Sequence, residues 1–371
     1  MSPMRRALLL WGASRLLLVL AVLTVAAGAG LGAVDHPWAD GRWWLDRFST
    51  YDSYHFVRVA DEGYFTPTRR CCDQAYFPAY PMLLRALGPI LGGPTLAGWV
   101  IALLAGFGAA AGLWLVARES LSDKSTRYAV GLLALAPFTV FLVAVYSEAL
   151  FLAAALFAWW AGLRQRWFLA GVLAGIAVGT RVTGVFLVVG LLVHYLLERR
   201  RAGRSALGWD AAWVLLPAGV LLTWMGWLRA QTGSWDAYRQ AQAVGWGRES
   251  LSPWAALRDQ LTDIAAAPDS WLLATRILDL AAVLAGVLLA AVLLWRRRWA
   301  EAAYVVPSVA VIVLGSVWES AARYALAWFP AYLLLAEVTQ QRPRTRIAVL
   351  ALSAALASWI TVGFALRLWT G

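Results

Sequence analysis

The chain has 371 residues, 61% of them hydrophobic and 14% charged, with a mean hydropathy of +0.64. A soluble domain is about half apolar and about a quarter charged, so an ordinary soluble protein is excluded. The formal net charge of +11 would suit an anionic partner such as a nucleic acid, but the placement of the charges along the chain removes that reading.

Apolar runs near 20 residues recur throughout, each long enough to cross a hydrocarbon core of about 30 Å as a helix, the form a backbone inside lipid must take. The first, Ala7–Leu31, follows Met4-Arg5-Arg6; it is too long for a signal-peptide core and no clear cleavage site follows, so it reads as a retained span. Further runs are Thr95–Val116, Tyr128–Val145, Ala149–Leu163, Trp167–Thr180 and Val185–Leu197. Asp210–Leu228, Trp271–Trp295, Ala300–Val317, Tyr324–Val338 and Ile347–Leu366 complete the set. The expected fold is an all-α polytopic membrane protein of about eleven transmembrane helices, forming one domain over residues 1–371.

Alternate connectors are basic. They hold Arg5, Arg6, Arg118, Lys124, Arg127, Arg164 and Arg166, then Arg199, Arg200, Arg201 and Arg204, then Arg296, Arg297, Arg298, Arg342, Arg344 and Arg346. Against these seventeen stand six acids, Glu119, Asp123, Glu198, Asp210, Glu301 and Glu337, which accounts for the whole net charge. The positive-inside bias puts these connectors in the cytoplasm, so the basic balance is a topology signal and needs no nucleic acid. Lys124 is the one lysine, an arginine bias that fits a bacterial genome of high GC content.

The opposite face carries two long loops, Gly32–Pro94 and Ala230–Ser270, and short turns at Tyr146–Glu148, Arg181–Gly184 and Trp318–Arg323. Long polar segments there place the chemistry outside the plasma membrane, and the 23 tryptophans suit a headgroup belt. No internal repeat of the kind many transporters carry is visible. Cys71 and Cys72 are adjacent, compatible with a vicinal disulfide or with two loop thiols, and too few for a thiolate metal site.

The first loop opens on the stretch RWWLDRFSTYDSYHFVRVADEGYF. On a helix Asp52, Phe56 and Val59 share one stripe with His55 and Ala60 beside it, the pattern of a short amphipathic helix on the membrane surface. Asp52 then reads either as the N-cap of that helix or as a reactive carboxylate. Asp46 and Asp35 are its rivals in the same loop.

The motifs resemble those of the PIG-V-type mannosyltransferase family, polytopic glycosyltransferases of the C-type fold. The resemblance rests on Tyr51-Asp52, Val59-Ala60, Gly63-Tyr64 and Phe77-Pro78-Ala79-Tyr80-Pro81. It continues through Pro137, Tyr146-Ser147-Glu148 and Phe151, then Arg181 and Gly184. Thr232-Gly233, Trp246-Gly247-Arg248, Arg323-Tyr324 and Phe329-Pro330 close it. Tyr51 stands where the family usually has Trp, and Ser234-Trp235-Asp236 displaces an expected acid.

The resemblance implies a polyprenyl-phosphate-mannose donor and transfer on the outer face to a hydroxyl of a glycan, lipoglycan or glycolipid. A phosphate leaving group needs no strong general acid, so one carboxylate base with cationic stabilisation suffices, and inversion is expected. In that scheme Asp52 is the base. His55 orients it or touches phosphate, unless it is a plain helix-surface histidine; Glu148 reads as an acceptor-binding or second carboxylate or as a snorkelling acid at the interface; and Arg181, Arg248 and Arg323-Tyr324 read as phosphate binders or as headgroup anchors, guanidinium being the bidentate donor for phosphate. With no Asp-x-Asp beside Asp52, no obligatory divalent metal is expected. The competing readings are a transporter or lipid-linked-sugar flippase, which tends to place ionisable groups near the membrane midplane, and a membrane scaffold. Here the charges cluster at outer ends, with Arg15 and Asp279 as the main intramembrane exceptions, and a scaffold leaves the acid-rich first loop unexplained.

Overall fold

The structure is a computed structural model and describes residues 2–370 apart from 33, 67, 68 and 70. The described residues form seventeen α-helices and three 3-10 turns, with isolated bridges but no strand. They fall into two compact units whose segments alternate along the chain.

The first unit takes in Met1–Asp61, Tyr80–Trp160 and Leu326–Thr370. It starts with α1 (Pro3–Gly28), α2 (Trp43–Asp46), α3 (Asp52–Glu62) and α4 (Ala79–Leu91), followed by α5 (Pro94–Arg118), α6 (Asp123–Ala134) and α7 (Glu148–Leu163). The second unit contains α8 (Trp167–Thr180), α9 (Gly184–Arg201), α10 (Ala211–Thr232), α11 (Ala237–Trp246), α12 (Pro253–Ala265), α13 (Ser270–Trp295), α14 (Trp299–Val313) and α15 (Ala321–Tyr324). The chain then returns to the first unit with α16 (Phe329–Val338) and α17 (Pro343–Ala365).

Helices α1, α5, α10, α13 and α17 are long and apolar enough to cross a membrane, and α4, α7, α8, α14 and α16 are shorter apolar helices. The chain is thus a helical membrane protein, with boundaries close to those read from hydropathy in most places. Two expected spans are broken. Tyr128–Val145 stops being helical after Ala134, and Tyr324–Val338 divides into α15, a 3-10 turn and α16. Proline explains both breaks: Pro137 has no amide hydrogen and disfavours helical backbone at Ala136, while Pro330 sits in the first turn of α16, where proline starts a helix. The run Ala300–Val317 likewise ends its helix at Val313.

The irregular stretch after α6 is buried throughout Phe138–Ala149, the condition under which non-helical backbone is tolerated at membrane depth. Arg15 of α1 completes its hydrogen bonding. Its guanidinium donates to the carbonyls of Ala134 (2.5 Å) and Thr139 (3.1 Å) and to the Thr139 hydroxyl (2.6 Å). At the other end of α6, Arg346 of α17 donates to the Ser125 hydroxyl and the Ala336 carbonyl, both at 2.8 Å. The intramembrane Arg15 therefore serves as a staple for the end of α6.

In the second unit α8 packs on α10 and α9 on α14. Gly171, Gly175 and Gly179 form a small-residue stripe along α8 facing α10. A Cβ at Gly171 would lie 2.0 Å from the Trp213 carbonyl oxygen, so that contact is backbone against backbone. Cys71 and Cys72 form a disulfide, and Cys72 packs against Gly245 of α11.

Candidate active site

Asp52 is the first residue of α3, one position later than the N-cap reading places it. The residue before it, Tyr51, has φ 51°, a left-handed conformation that costs a non-glycine residue about 1–3 kcal/mol and persists only where neighbours hold it. Four contacts do so. The Tyr51 hydroxyl donates to the Arg367 carbonyl at 2.5 Å, its ring meets Trp369 edge-on at 5.0 Å, the Tyr146 hydroxyl donates to the Thr50 carbonyl at 2.9 Å, and the Val145 amide donates to the Phe48 carbonyl at 2.8 Å. The buried stretch before α7 and the end of α17 thus fix the turn that presents Asp52.

The apolar stripe of α3 is covered by protein, where a membrane surface was expected. Phe56 sits against Tyr80 (ring centroids 4.9 Å) and Tyr146 (6.5 Å), and Phe141 links that group to Phe364. Asp52 and His55, at the start of the same helix, remain half-buried. Arg58, one turn beyond His55, lies 2.8 Å from its Nδ1. Guanidinium can only donate, so Nδ1 is the acceptor in this contact.

His36 stacks on Tyr54 with ring centroids 3.6 Å apart. Its imidazole is held below the usual range by burial first, then by the charges of Arg367, Arg58 and His55, against Asp35. Of the rivals to Asp52, Asp46 is buried and accepts the amides of Asp40 (2.7 Å) and Gly41 (3.1 Å), which closes a loop, while Asp35 is exposed. Glu148 begins α7 and is buried, with the Tyr80 hydroxyl close to its charge; the stretch before it is a long buried segment where a three-residue turn was expected.

In the second unit Arg181, Arg248 and Arg323 converge on Tyr324. Their guanidinium carbons lie 5.4, 5.5 and 5.5 Å from the Tyr324 ring centre, and Arg248 donates to the Tyr324 hydroxyl at 2.6 Å. Each arrives from a different element. Arg181 is the extended residue that ends α8. Arg248 follows Gly247, whose φ of 62° ends α11, and the next residues pair with the segment after α14. There Leu251 donates to the Leu314 carbonyl (2.7 Å) and Ser316 to the Glu249 carbonyl (2.8 Å). Arg323 and Tyr324 sit on α15.

Burial pushes the Tyr324 phenol up, but Arg248, Arg323 and Arg181 together outweigh it and hold the phenol below the usual tyrosine range. The same coupling raises Arg248, Tyr324 being the largest cause. Nearby Tyr238 is pushed up to about 12, mainly by burial. Arg323 is buried, while Arg181, Arg248 and Tyr324 are half-buried and keep access. Three guanidiniums in one place, with a polar hydroxyl among them, can take the oxygens of a phosphate.

Asp236, displaced in the motif, is held low by its bond to Arg239 and belongs to an exposed surface pair. Among the described residues no group of three or more histidines, cysteines or carboxylates is placed to hold a metal ion. Sequence reading missed Arg367 beside Tyr51 and Tyr54, and Tyr238 beside Tyr324. Arg58 was legible at three residues from His55, but nothing local marks Arg367 as a neighbour of Tyr51.

Residues 73–235 match the family model described as dolichyl-phosphate-mannose-protein mannosyltransferase. This covers under half of the chain, including Glu148 and Arg181 but not Asp52, Arg248, Arg323 or Tyr324, and it is a different family from the PIG-V type that the motifs resemble. It supports a glycosyltransferase of the kind that draws on a lipid-linked sugar. No curated protein matches the chain. The oligosaccharyltransferase of Archaeoglobus fulgidus in its apo form is similar over 96% of this chain and 54% of that one, at 13% identity and a TM-score of 0.46. The archaeal oligosaccharyltransferase AglB from the same organism, in complex with an inhibitory peptide and a dolichol-phosphate, is similar over 96% and 55% of the two chains, at 12% identity and a TM-score of 0.44. The chain spans about half the length of these structures.

Proposed function

We propose that the chain is an inverting glycosyltransferase that moves a mannosyl residue from a polyprenyl-phosphate sugar to a hydroxyl of an extracytoplasmic glycan or lipoglycan. The observation that carries this reading is the convergence of Arg181, Arg248 and Arg323 on Tyr324. The mannosyltransferase match over residues 73–235 supports the sugar and the lipid-linked donor.

In this reaction the acceptor hydroxyl gives its proton to the Asp52 carboxylate as its oxygen attacks the anomeric carbon. The bond from that carbon to the phosphate oxygen breaks, and polyprenyl phosphate leaves with the electron pair, its charge met by the arginines. The anomeric configuration inverts in this single displacement. No second acid is required, unlike glycoside hydrolysis, where a poor alkoxide must be protonated.

The test uses the purified full chain in detergent with radiolabelled polyprenyl-phosphate-mannose and a panel of envelope glycans and lipoglycans. Transfer of label with release of polyprenyl phosphate supports the proposal. Absence of turnover there, with movement of lipid-linked sugar across sealed proteoliposomes, favours a flippase instead. Mass spectrometry of envelope glycans with and without the gene identifies the acceptor.

A further inference from the structure

Asp279 lies in α13, buried, and takes no part in the chemistry proposed above. Its Oδ1 accepts the backbone amide of Ala322 at 2.9 Å. Ala322 belongs to α15, the four-residue helix that carries Arg323 and Tyr324. So short a helix has a costly nucleus, leaves its first amides without partners of its own, and cannot hold its place unaided. The residue before it, Ser320, has φ 71° and contributes no side-chain cap bond. Asp279 supplies from a neighbouring helix the acceptor that Ser320 does not.

Apolar packing alone does not fix the turn. Trp318 and Ala321 pack with Val283 and Ala256, and Leu280 adds to that cluster. Such contacts are non-directional and tolerate a shift in register. The carboxylate adds a directional bond that ties the turn to α13. Glu319 and Arg323 are the charged groups that interact with it.

We propose that Asp279 is a positioning residue for the arginine site: by holding the Ala322 amide it sets the register of α15, so that Arg323 and Tyr324 meet Arg248 and Arg181. The positioning itself is a property of the fold. Its effect on donor use rests on the glycosyltransferase reading given above.

The experiment compares full-length parent, Asp279→Asn and Asp279→Ala, each carrying 3-fluorotyrosine at position 324, by fluorine NMR as a function of pH and by steady-state kinetics. Asparagine retains a carbonyl acceptor for the Ala322 amide; alanine retains none. Asp279→Asn, which keeps the acceptor and loses the charge beside Arg323, should hold the titration of the labelled phenol at or below its parent position. Asp279→Ala, equally neutral but without the acceptor, should move that titration up from the Asp279→Asn position towards that of free 3-fluorotyrosine. Donor KM should rise about tenfold in the same variant, the size expected for losing a charge-assisted hydrogen bond, with acceptor KM unchanged. If Asp279→Ala does not fold, Asp279→Ser, whose hydroxyl is one bond too short to reach, is read in its place. A phenol titration in the alanine or serine variant that coincides with that of Asp279→Asn overturns the proposal. If that titration moves as expected while the parent shows no transferase activity, the positioning role stands and the glycosyltransferase reading falls.

Discussion

Asp52 and the Arg323-Tyr324 pair are presented in the same way and held in different ways. Each follows closely on a non-glycine residue in the left-handed region, Tyr51 at 51° and Ser320 at 71°, and each begins or sits in a helix. The Tyr51 turn is pinned by neutral groups: two tyrosine hydroxyls on carbonyls, one backbone amide and a ring contact. The Ser320 turn is pinned by the Asp279 carboxylate. A charged pin suits the second turn, which already lies beside the guanidiniums of Arg181, Arg248 and Arg323. The variants below separate the two turns.

The largest expected effect is at the first turn. Asp52→Asn keeps size and shape and removes the negative lone pair a base requires. General-base assistance is worth about 10²- to 10⁴-fold, so transfer at saturating acceptor should fall at least about a hundredfold. The stability cost should be small, on the order of 0.3–1 kcal/mol for a charge lost near a helix start. Single-turnover transfer and thermal melting of the purified variant check both halves; near-parent turnover would reduce Asp52 to a helix-start charge.

At the second turn Arg323→Lys keeps the charge and loses the planar fork. A charge-assisted bond is worth about 1.5–3 kcal/mol, so donor use should fall about ten- to a hundredfold with acceptor use unaffected. Donor and acceptor titrations of kcat/KM check this. If Arg323→Lys and Arg323→Ala both turn over like the parent, Arg323 anchors a headgroup and nothing more.

How much of this was legible differs between the turns for a physical reason. The Asp52 turn is local: Tyr51 directly precedes Asp52, and Asp52 and the stripe through Phe56 and Val59 lie within one helix, where helical spacing shows them. Its supports were not legible, since Arg367 is brought to Tyr51 only by the packing of α17 against α1 within the first unit. The arginines were individually visible as motif positions, but their meeting depends on the pairing of Glu249–Leu251 with Leu314–Ser316. That pairing has no alternating pattern to announce it. The break after Ala134 was missed because hydropathy continues through Pro137, and apolar character says nothing about backbone hydrogen bonding.

A smaller effect probes the neutral pins. Tyr51→Phe keeps the ring on Trp369 and removes the hydroxyl bond to the Arg367 carbonyl. One neutral hydrogen bond contributes about 0.5–1.5 kcal/mol, so the melting temperature should drop slightly and turnover should fall by no more than about tenfold. A fall as deep as that of Asp52→Asn would mean that the hydroxyl itself takes part in the chemistry.

The smallest effect is a pH dependence at the second turn. The Tyr324 phenol is held below the usual tyrosine range by Arg248, Arg323 and Arg181 against the opposing effect of burial. An acid whose folded pKa is depressed loses its proton first in the native state, so the unfolded state binds more protons in the window between the folded value and the ordinary one of about 10. Stability from Tyr324 must therefore rise with pH across that window and be lost as pH falls through the folded value. Below the folded value the contribution is nil. Tyr324→Phe lacks it, so the difference in melting temperature between parent and variant should open only as pH climbs towards the tyrosine range. In the same window the phenolate competes for the arginines, and donor KM should climb in the parent while staying flat in Tyr324→Phe. Parallel pH profiles for the two proteins would show that Tyr324 does not feel the three guanidiniums in solution, and the arginine site would have to be drawn without it.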